Sequence, residues 1–243
     1  MSIDIIAHRG ASRHAPENTL PAFQLAYELG ANGIETDVHL TKDNVPVLIH
    51  DETLKRTARH PGYIKDFTYT QLKGFDVGSW FGNDYLDTPL LSLEDFLKWI
   101  KSKNLILNIE LKNNKIDYHH LEYIVYEMLG HFELIERTTL STFNHYSIKR
   151  MNSLDIETAL LTSRRRWNLV KYGKLLGADI LHIKHTLLTP RFIKQSRQED
   201  VAVQVYTVNR TKQILKCFNY KCRGIFTDVP QKALKLRGEL KWN

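Results

Sequence analysis

Cysteine is nearly absent: Cys217 and Cys222 are the only two in 243 residues. Two are too few for a disulfide framework, and their spacing is not that of a zinc knuckle. Seven prolines and twelve glycines form no Pro-rich or Gly/Ser-rich linker, so nothing divides the chain into domains. Low-complexity tracts and repeats of solenoid period are missing too. Long apolar runs are also lacking. None approaches the ~20 residues that span a bilayer, and no stable membrane insertion is expected. Met1-Ser2-Ile3-Asp4 has no basic n-region and no long apolar h-region follows, so no secretory signal is expected. Reduced thiols and no signal together lead to the expectation of a cytoplasmic protein.

What is present is an ordinary globular composition, 42% apolar and 25% charged. It is enough to build the core of one large domain over residues 1–243. The net charge of +7 invites a nucleic-acid reading. The basic residues are scattered, however, and show no continuous basic groove, so no nucleic-acid partner is expected. The one tight cluster, Arg164-Arg165-Arg166, stands where a helix is expected to open. It reads first as a solvated helical face and second as an attractor of anionic substrates or membrane surfaces.

Nine β-rich runs recur: Ile3–Ala7, Gly33–Leu40, Val45–Ile49, Leu105–Leu111, Thr138–Phe143, Glu157–Leu161, Asp179–Ile183, Val201–Val208 and Gly224–Thr227. Helix-like segments separate most of them: Thr19–Leu29, Leu93–Ser102, Tyr118–Leu129, Tyr146–Ser153, Arg166–Leu176, Pro190–Gln198 and Lys212–Asn219. Alternation of this kind argues for a parallel sheet wrapped by helices. Nine strands is one too many for a (β/α)8 TIM barrel. Only Thr41-Lys42-Asp43-Asn44 separates the second and third runs, far too little for a parallel crossover. The third run is therefore expected to fold back as a β-hairpin arm above the barrel mouth, returning His50 to the level of Glu35 and Thr36. Asp51–Leu91 contains no βα unit and is expected to be a small capping insertion near the mouth.

The chemistry-bearing residues gather at strand ends. Residues two apart on a strand share a face, so Glu35 projects with Asp37, and Glu110 with Lys112. Burying such acids is expensive unless they are paired or metal-bound. Glu35, Asp37 and Glu110 therefore read as an oxygen-rich site for Mg²⁺ or Ca²⁺ and not zinc, the alternative being separate salt bridges. His8 and His50 each end a strand beside another charged residue, a setting that favours proton transfer over packing. The other nine histidines read as surface or packing residues. Gly10 would let the backbone approach a bound anion. Asn18 or Thr19 caps the following helix, and Glu17 and Asn18 are also expected to hydrogen-bond into the first-strand site, where we group them with the substrate-binding residues.

Read in order, His8-Arg9-Gly10, Glu17-Asn18-Thr19, Glu35-Thr36-Asp37, His50-Asp51 and Glu110-Leu111-Lys112 resemble the motifs of the glycerophosphodiester phosphodiesterase family. The likeness continues through Gly78-Ser79-Trp80-Phe81, Ser141-Thr142-Phe143, Val205-Tyr206-Thr207-Val208-Asn209 and Gly224-Ile225-Phe226-Thr227-Asp228-Val229-Pro230, essentially the whole chain. The resemblance implies a TIM barrel hydrolysing glycerophosphodiesters, small-molecule substrates, to glycerol 3-phosphate and an alcohol. It also implies Glu35, Asp37 and Glu110 as metal ligands, His8 and His50 as general acid and base, and Arg9 and Lys112 on the phosphate oxygens. Phe143 and the seventh-strand aromatic would line the glycerol or alcohol pocket. That aromatic is commonly Trp in the family and is Tyr206 here, which bears on leaving-group preference. Two rivals remain. A lysophospholipase D-like or phospholipase C-like enzyme needs an apolar rim, for which the insertion's aromatics are candidates. A non-catalytic phosphodiester-binding barrel needs the loss of a histidine or acid, and all are present.

Overall fold

The computed structural model describes residues 3–239. Nine strands run β1 (Asp4–His8), β2 (Gly33–Leu40), β3 (Pro46–Leu48), β4 (Ile106–Leu111), β5 (Thr138–Thr142), β6 (Glu157–Thr162), β7 (Ile180–Lys184), β8 (Ala202–Tyr206) and β9 (Gly224–Thr227). Between them lie helices α1 (Leu20–Glu28), α2 (Tyr69–Leu72), α3 (Leu93–Ile100), α4 (Leu121–His131), α5 (His145–Met151), α6 (Leu169–Leu176), α7 (Pro190–Gln198) and α8 (Thr211–Asn219), and α9 (Pro230–Glu239) follows β9. The strands follow the order β1-β9-β8-β7-β6-β5-β4-β2, and β1 pairs with β2 to close an eight-stranded parallel TIM barrel.

The hairpin arm is as expected. β2 is eight residues long, and β1 pairs only with its first half, through His8↔Glu35. β3 pairs antiparallel with the surplus through Val38↔Leu48. That register sets His50 opposite Thr36, and the Ile49 amide donates to the Asp37 carbonyl at 3.1 Å. A strand overrunning its neighbour thus holds the arm at the mouth.

Each stave is buried on both faces. One set of alternating residues (Ile34, Val38, Ile109, Leu140, Leu181, Val205, Ile225) packs in the main core with Phe23, Phe96 and the other helical apolar residues. The other set points inward. After β1 the chain turns sharply: Arg9 and Gly10 both have positive φ, 57° and 83°. A Cβ on Gly10 would lie 2.6 Å from the Ala22 carbonyl carbon. The glycine is therefore needed for close packing of α1 on the turn.

The insertion has a core of its own, with Leu54, Ile64, Leu72, Val77 and Leu90 packed on Val47 and Ile49 of the arm. Two expectations are corrected. α6 starts at Leu169, not Arg166, because Asn168 takes a left-handed conformation (φ 51°) that breaks the helix on its N-terminal side. Arg164-Arg165-Arg166 therefore lie in the β6–α6 loop at the C-terminal end of the barrel. The closing helix α9 was not anticipated. No helix among the described residues is long and apolar enough to cross a membrane.

Candidate active site

Every stave delivers its C-terminal end to one rim, where TIM barrels place their chemistry. His8, the last residue of β1, directs Nδ1 to Asp228 Oδ1 at 2.7 Å. Asp228 follows β9 and is held by the Asn209 side-chain amide at 2.5 Å and by Ser12 Oγ at 3.3 Å. Burial alone would raise its pKa, but the His8 hydrogen bond and charge, with Asn209 and Arg9, bring it below the usual carboxylate value. His50 has the matching arrangement, with Nδ1 2.7 Å from Asp51 Oδ1. Because an ionised carboxylate only accepts, each contact fixes the proton on Nδ1 and leaves Nε2 for chemistry.

The two histidines are tied together from behind. The Arg56 guanidinium reaches Asp51 (2.7 Å) and both oxygens of Glu17 (2.7 and 2.8 Å). Arg9 in turn reaches Glu17 at 3.0 Å and Asp37 at 3.1 Å. His39 is fully buried and contacts the His50 carbonyl through Nε2 at 3.2 Å, with its Nδ1 2.9 Å from the Tyr118 hydroxyl. The His50 backbone is thereby pinned as well as its ring.

Glu35, Asp37 and Glu110 each offer an oxygen within 4.8 Å of the other two. Their neighbours are arranged around that oxygen set. The Arg9 amide donates to Glu35 Oε2 at 2.8 Å, a contact the left-handed turn makes possible. Asn18 donates to Asp37 Oδ2 at 2.9 Å and accepts from the Thr36 hydroxyl. Lys112 lies 2.9 Å from Glu110 and 3.5 Å from Asp37 Oδ1. Burial and the adjacent Asp37 push Glu35 well above the usual carboxylate pKa. Burial opposes ionisation of Asp37 too, yet Arg9 and Lys112 outweigh it and hold the carboxyl far below its usual value. Asp37 Oδ1, fully buried, has no hydrogen-bond partner. A crowded all-oxygen cluster with an orphaned carboxylate oxygen fits a hard divalent cation of the Mg²⁺ or Ca²⁺ type.

A cavity of about 160 Å³ opens over this cluster, lined by His8, Arg9, Glu35, His50, Glu110, Lys112, Phe143 and Tyr206. The Phe143 and Tyr206 rings meet edge to face at 6.1 Å and form one wall. The floor is polar: His182, Asn108 and Tyr206 present ring nitrogens, an amide oxygen and a hydroxyl that have no partner among the described residues. Two larger hollows, about 740 and 840 Å³, lie around Arg137 and Arg223 at the N-terminal ends of the staves. None of these catalytic-type residues reaches them.

Nine of the eleven residues singled out from sequence thus surround one point: the eight lining residues and the buried Asp37. Glu17 and Asn18 do not line the cavity. Their polar groups are spent on Arg9, Arg56, Thr36 and Asp37, so they support the site from behind. Sequence reasoning missed Asp228, Asn209, Arg56, His39 and the floor histidine His182. Asp228 carried a signal as an acid just past a stave's C-terminal end, His182 by its place within a strand run, and Asn209 by its place in a stretch that resembles the family. Arg56 sits in the insertion, where no periodicity marks it.

The model of the Glycerophosphoryl diester phosphodiesterase family matches residues 8–232. A Bacillus altitudinis glycerophosphodiester phosphodiesterase is 37% identical, covering 98% of this chain and 99% of its own. One from Caldanaerobacter subterraneus subsp. tengcongensis is 33% identical over 96% of each chain. Among solved structures, an Oleispira antarctica phosphodiesterase in complex with sn-glycerol-3-phosphate superposes with a TM-score of 0.85 at 27% identity, covering 98% of both chains.

Proposed function

The chain belongs to the glycerophosphoryl diester phosphodiesterase family, and we propose that its cavity hydrolyses glycerophosphodiesters to glycerol 3-phosphate and an alcohol. The observation that carries this reading is the convergence of two carboxylate-oriented histidines on a cavity that Glu35, Glu110 and two cations also line, with Asp37 buried beside those acids. Glu35, Asp37 and Glu110 would hold a divalent cation, Mg²⁺ or Ca²⁺. Such an ion, when bound, neutralises a phosphate oxygen as a Lewis acid.

The remaining chemistry falls to the chain. A phosphodiester carries one negative charge and a poor alkoxide leaving group. Arg9 and Lys112 place two fixed positive charges against the non-bridging oxygens, where charge builds as phosphorus becomes five-coordinate. One histidine Nε2 accepts the proton of the attacking hydroxyl. The other delivers a proton to the alcohol oxygen as its bond to phosphorus breaks, so water is consumed overall and the proton count balances. Asp228 and Asp51 keep both rings in the required tautomer and stabilise the imidazolium that forms. Phe143 and Tyr206 offer ring faces to the glycerol or alcohol carbons.

The lipid-directed rival finds little support. In the insertion, Phe67 and Phe75 pack on His60, Trp80, Phe81 and Tyr85 pack on one another, and none of these aromatics lines the cavity. Free, buried Cys217 and Cys222 support a reducing compartment, and we place the enzyme in the cytoplasm. The test is an assay on glycerophosphocholine, glycerophosphoethanolamine and a lysophospholipid, each with and without EDTA. Release of glycerol 3-phosphate from the first two, lost with EDTA and restored by Mg²⁺ or Ca²⁺, is expected. Turnover of the lysophospholipid alone would refute the proposal.

A further inference from the structure

We propose that the outer half of the active-site opening is a subsite for an alcohol bearing its own phosphate or carboxylate, so that polyanionic glycerophosphodiesters are turned over faster than those with a cationic head group. The proposal rests on the phosphodiesterase reading and extends it to the leaving group.

A groove of about 710 Å³ continues outward from the catalytic cavity, and the two share His50, Glu110, Lys112, Phe143 and Leu161. Its far wall is the β6–α6 loop, carrying Arg164, Arg165 and Arg166. The acids of the groove are already matched. Asp51 is held by His50 and Arg56, Glu52 by Lys115 at 3.0 Å, and Glu110 by Lys112 at 2.9 Å. The three loop arginines make no ion pair with any described residue, so they are the groove's surplus charge.

They are also organised. The Arg166 guanidinium stacks on the Tyr172 ring, 3.6 Å from its centroid, and the Tyr172 hydroxyl lies 2.6 Å from Nδ1 of His145, itself a groove residue. Thr162 Oγ1 accepts from the Arg164 amide and donates to the Arg164 carbonyl, fixing the loop where it leaves β6. Planar guanidinium groups match phosphate and carboxylate in two-point contacts. A choline or ethanolamine in the same groove would meet like charge.

The arginines line a groove continuous with the catalytic cavity, which favours a small anionic alcohol over a membrane surface, although neighbouring Trp167 is 81% exposed. The experiment compares kcat/KM for glycerophosphoglycerol, its terminal phosphate monoester and glycerophosphocholine in the native enzyme and in Arg164→Gln/Arg165→Gln/Arg166→Gln. The native enzyme should favour the phosphorylated diester by about tenfold, the sum of a few partly exposed ion pairs. The ratio should fall toward one in the variant, and in the native enzyme as salt rises. Should the triple variant fail to fold because Arg166 leaves Tyr172, the Arg164→Gln/Arg165→Gln double variant carries the same test. Turnover of all three diesters with equal ratios in native and variant enzyme overturns the subsite alone. Loss of binding to phosphatidylglycerol vesicles with an unchanged ratio would assign the arginines to a lipid surface and also overturn it. No turnover of any diester by the native enzyme overturns the phosphodiesterase reading itself.

Discussion

Adding Mg²⁺ or Ca²⁺ to chelated protein should raise its melting temperature, because the folded acid cluster offers a cation site that the unfolded chain lacks. Three carboxylates share a space in which their oxygens lie within 4.8 Å. Arg9 and Lys112 supply only two compensating charges, and Asp37 Oδ1 is buried without a hydrogen bond. An orphaned buried acceptor costs about 1–3 kcal/mol, and more when charged. A divalent ion held by the cluster would give that oxygen a partner and offset the repulsion that, with burial, holds Glu35 above the usual carboxylate pKa. At a free cation concentration of about one hundred times Kd, mass action stabilises the folded state by about 2.7 kcal/mol. For a chain of this size each kcal/mol moves Tm by about 2–4 °C, so a rise of about 5–10 °C is expected. The assay is a fluorescence melt of EDTA-treated protein across a series of each cation, with sodium chloride at matched ionic strength as control. Glu35→Gln/Asp37→Asn/Glu110→Gln keeps the shapes and removes the charges, so its melt should not respond. A rise of equal size in that variant, or none in the native protein, would refute the assignment of this cluster to a metal.

His8→Ala and His50→Ala should each lower kcat by about 10²–10⁴-fold, the usual contribution of general acid–base catalysis, with far-UV circular dichroism unchanged. Near-native kcat in either variant removes that histidine from the mechanism. Tyr206→Ala should raise KM before it lowers kcat, because the ring contributes contact surface and no proton. A large drop in Tm with KM unchanged would make the ring a filler of the barrel. Burial lowers the His182 pKa to about 3, against about 6.5 in an unfolded chain. The unfolded state therefore binds the extra proton first, and the stability that the neutral ring contributes above pH ~6.5 is lost as pH falls toward 3, at up to about 1.4 kcal/mol per pH unit. His182→Leu should flatten that part of a urea-midpoint profile against pH; equal slopes in the two proteins would sink the argument.

What could be read from the sequence was whatever local pattern enforces. The E-x-D and E-x-K spacings put acids on one strand face, and the four residues between β2 and β3 exclude a parallel crossover. The alternation of strand-like and helix-like runs, with that short connection, yielded the barrel, the arm and the level of His50, with β3 trimmed to Pro46–Leu48. Other features depend on contacts between distant segments. The helix expected at Arg166 is displaced by Asn168, whose left-handed conformation is one that asparagine tolerates but does not dictate. Glu17 was expected to hydrogen-bond into the first-strand site among the substrate-binding residues. Its oxygens are engaged instead by Arg56, from an insertion whose conformation the sequence did not reveal. His182 and His39 looked like packing residues. They are buried, but one lines the cavity floor and the other holds the His50 backbone.

The two histidines show why one half of the proposed catalytic pair was easier to find. His50 takes its orienting acid from the next residue, so the whole dyad is visible as His50-Asp51. His8 takes its acid from Asp228, 220 positions away, and the two meet only because β9 pairs with β1 to close the barrel. Arg237 of α9 strengthens that seam, donating to the Ile3 carbonyl at 2.9 Å and to the Asn32 side chain at 2.6 Å. The His50 dyad can form as soon as the arm folds on β2, whereas the His8 dyad forms with the last strand. Loop-closure entropy makes such end-to-end contacts among the last to be rewarded in folding. In the proposed mechanism, proton transfer requiring both rings is thereby tied to completion of the barrel, since a chain that has not docked β9 has the acids of β2 and β4 but lacks the acid that orients His8.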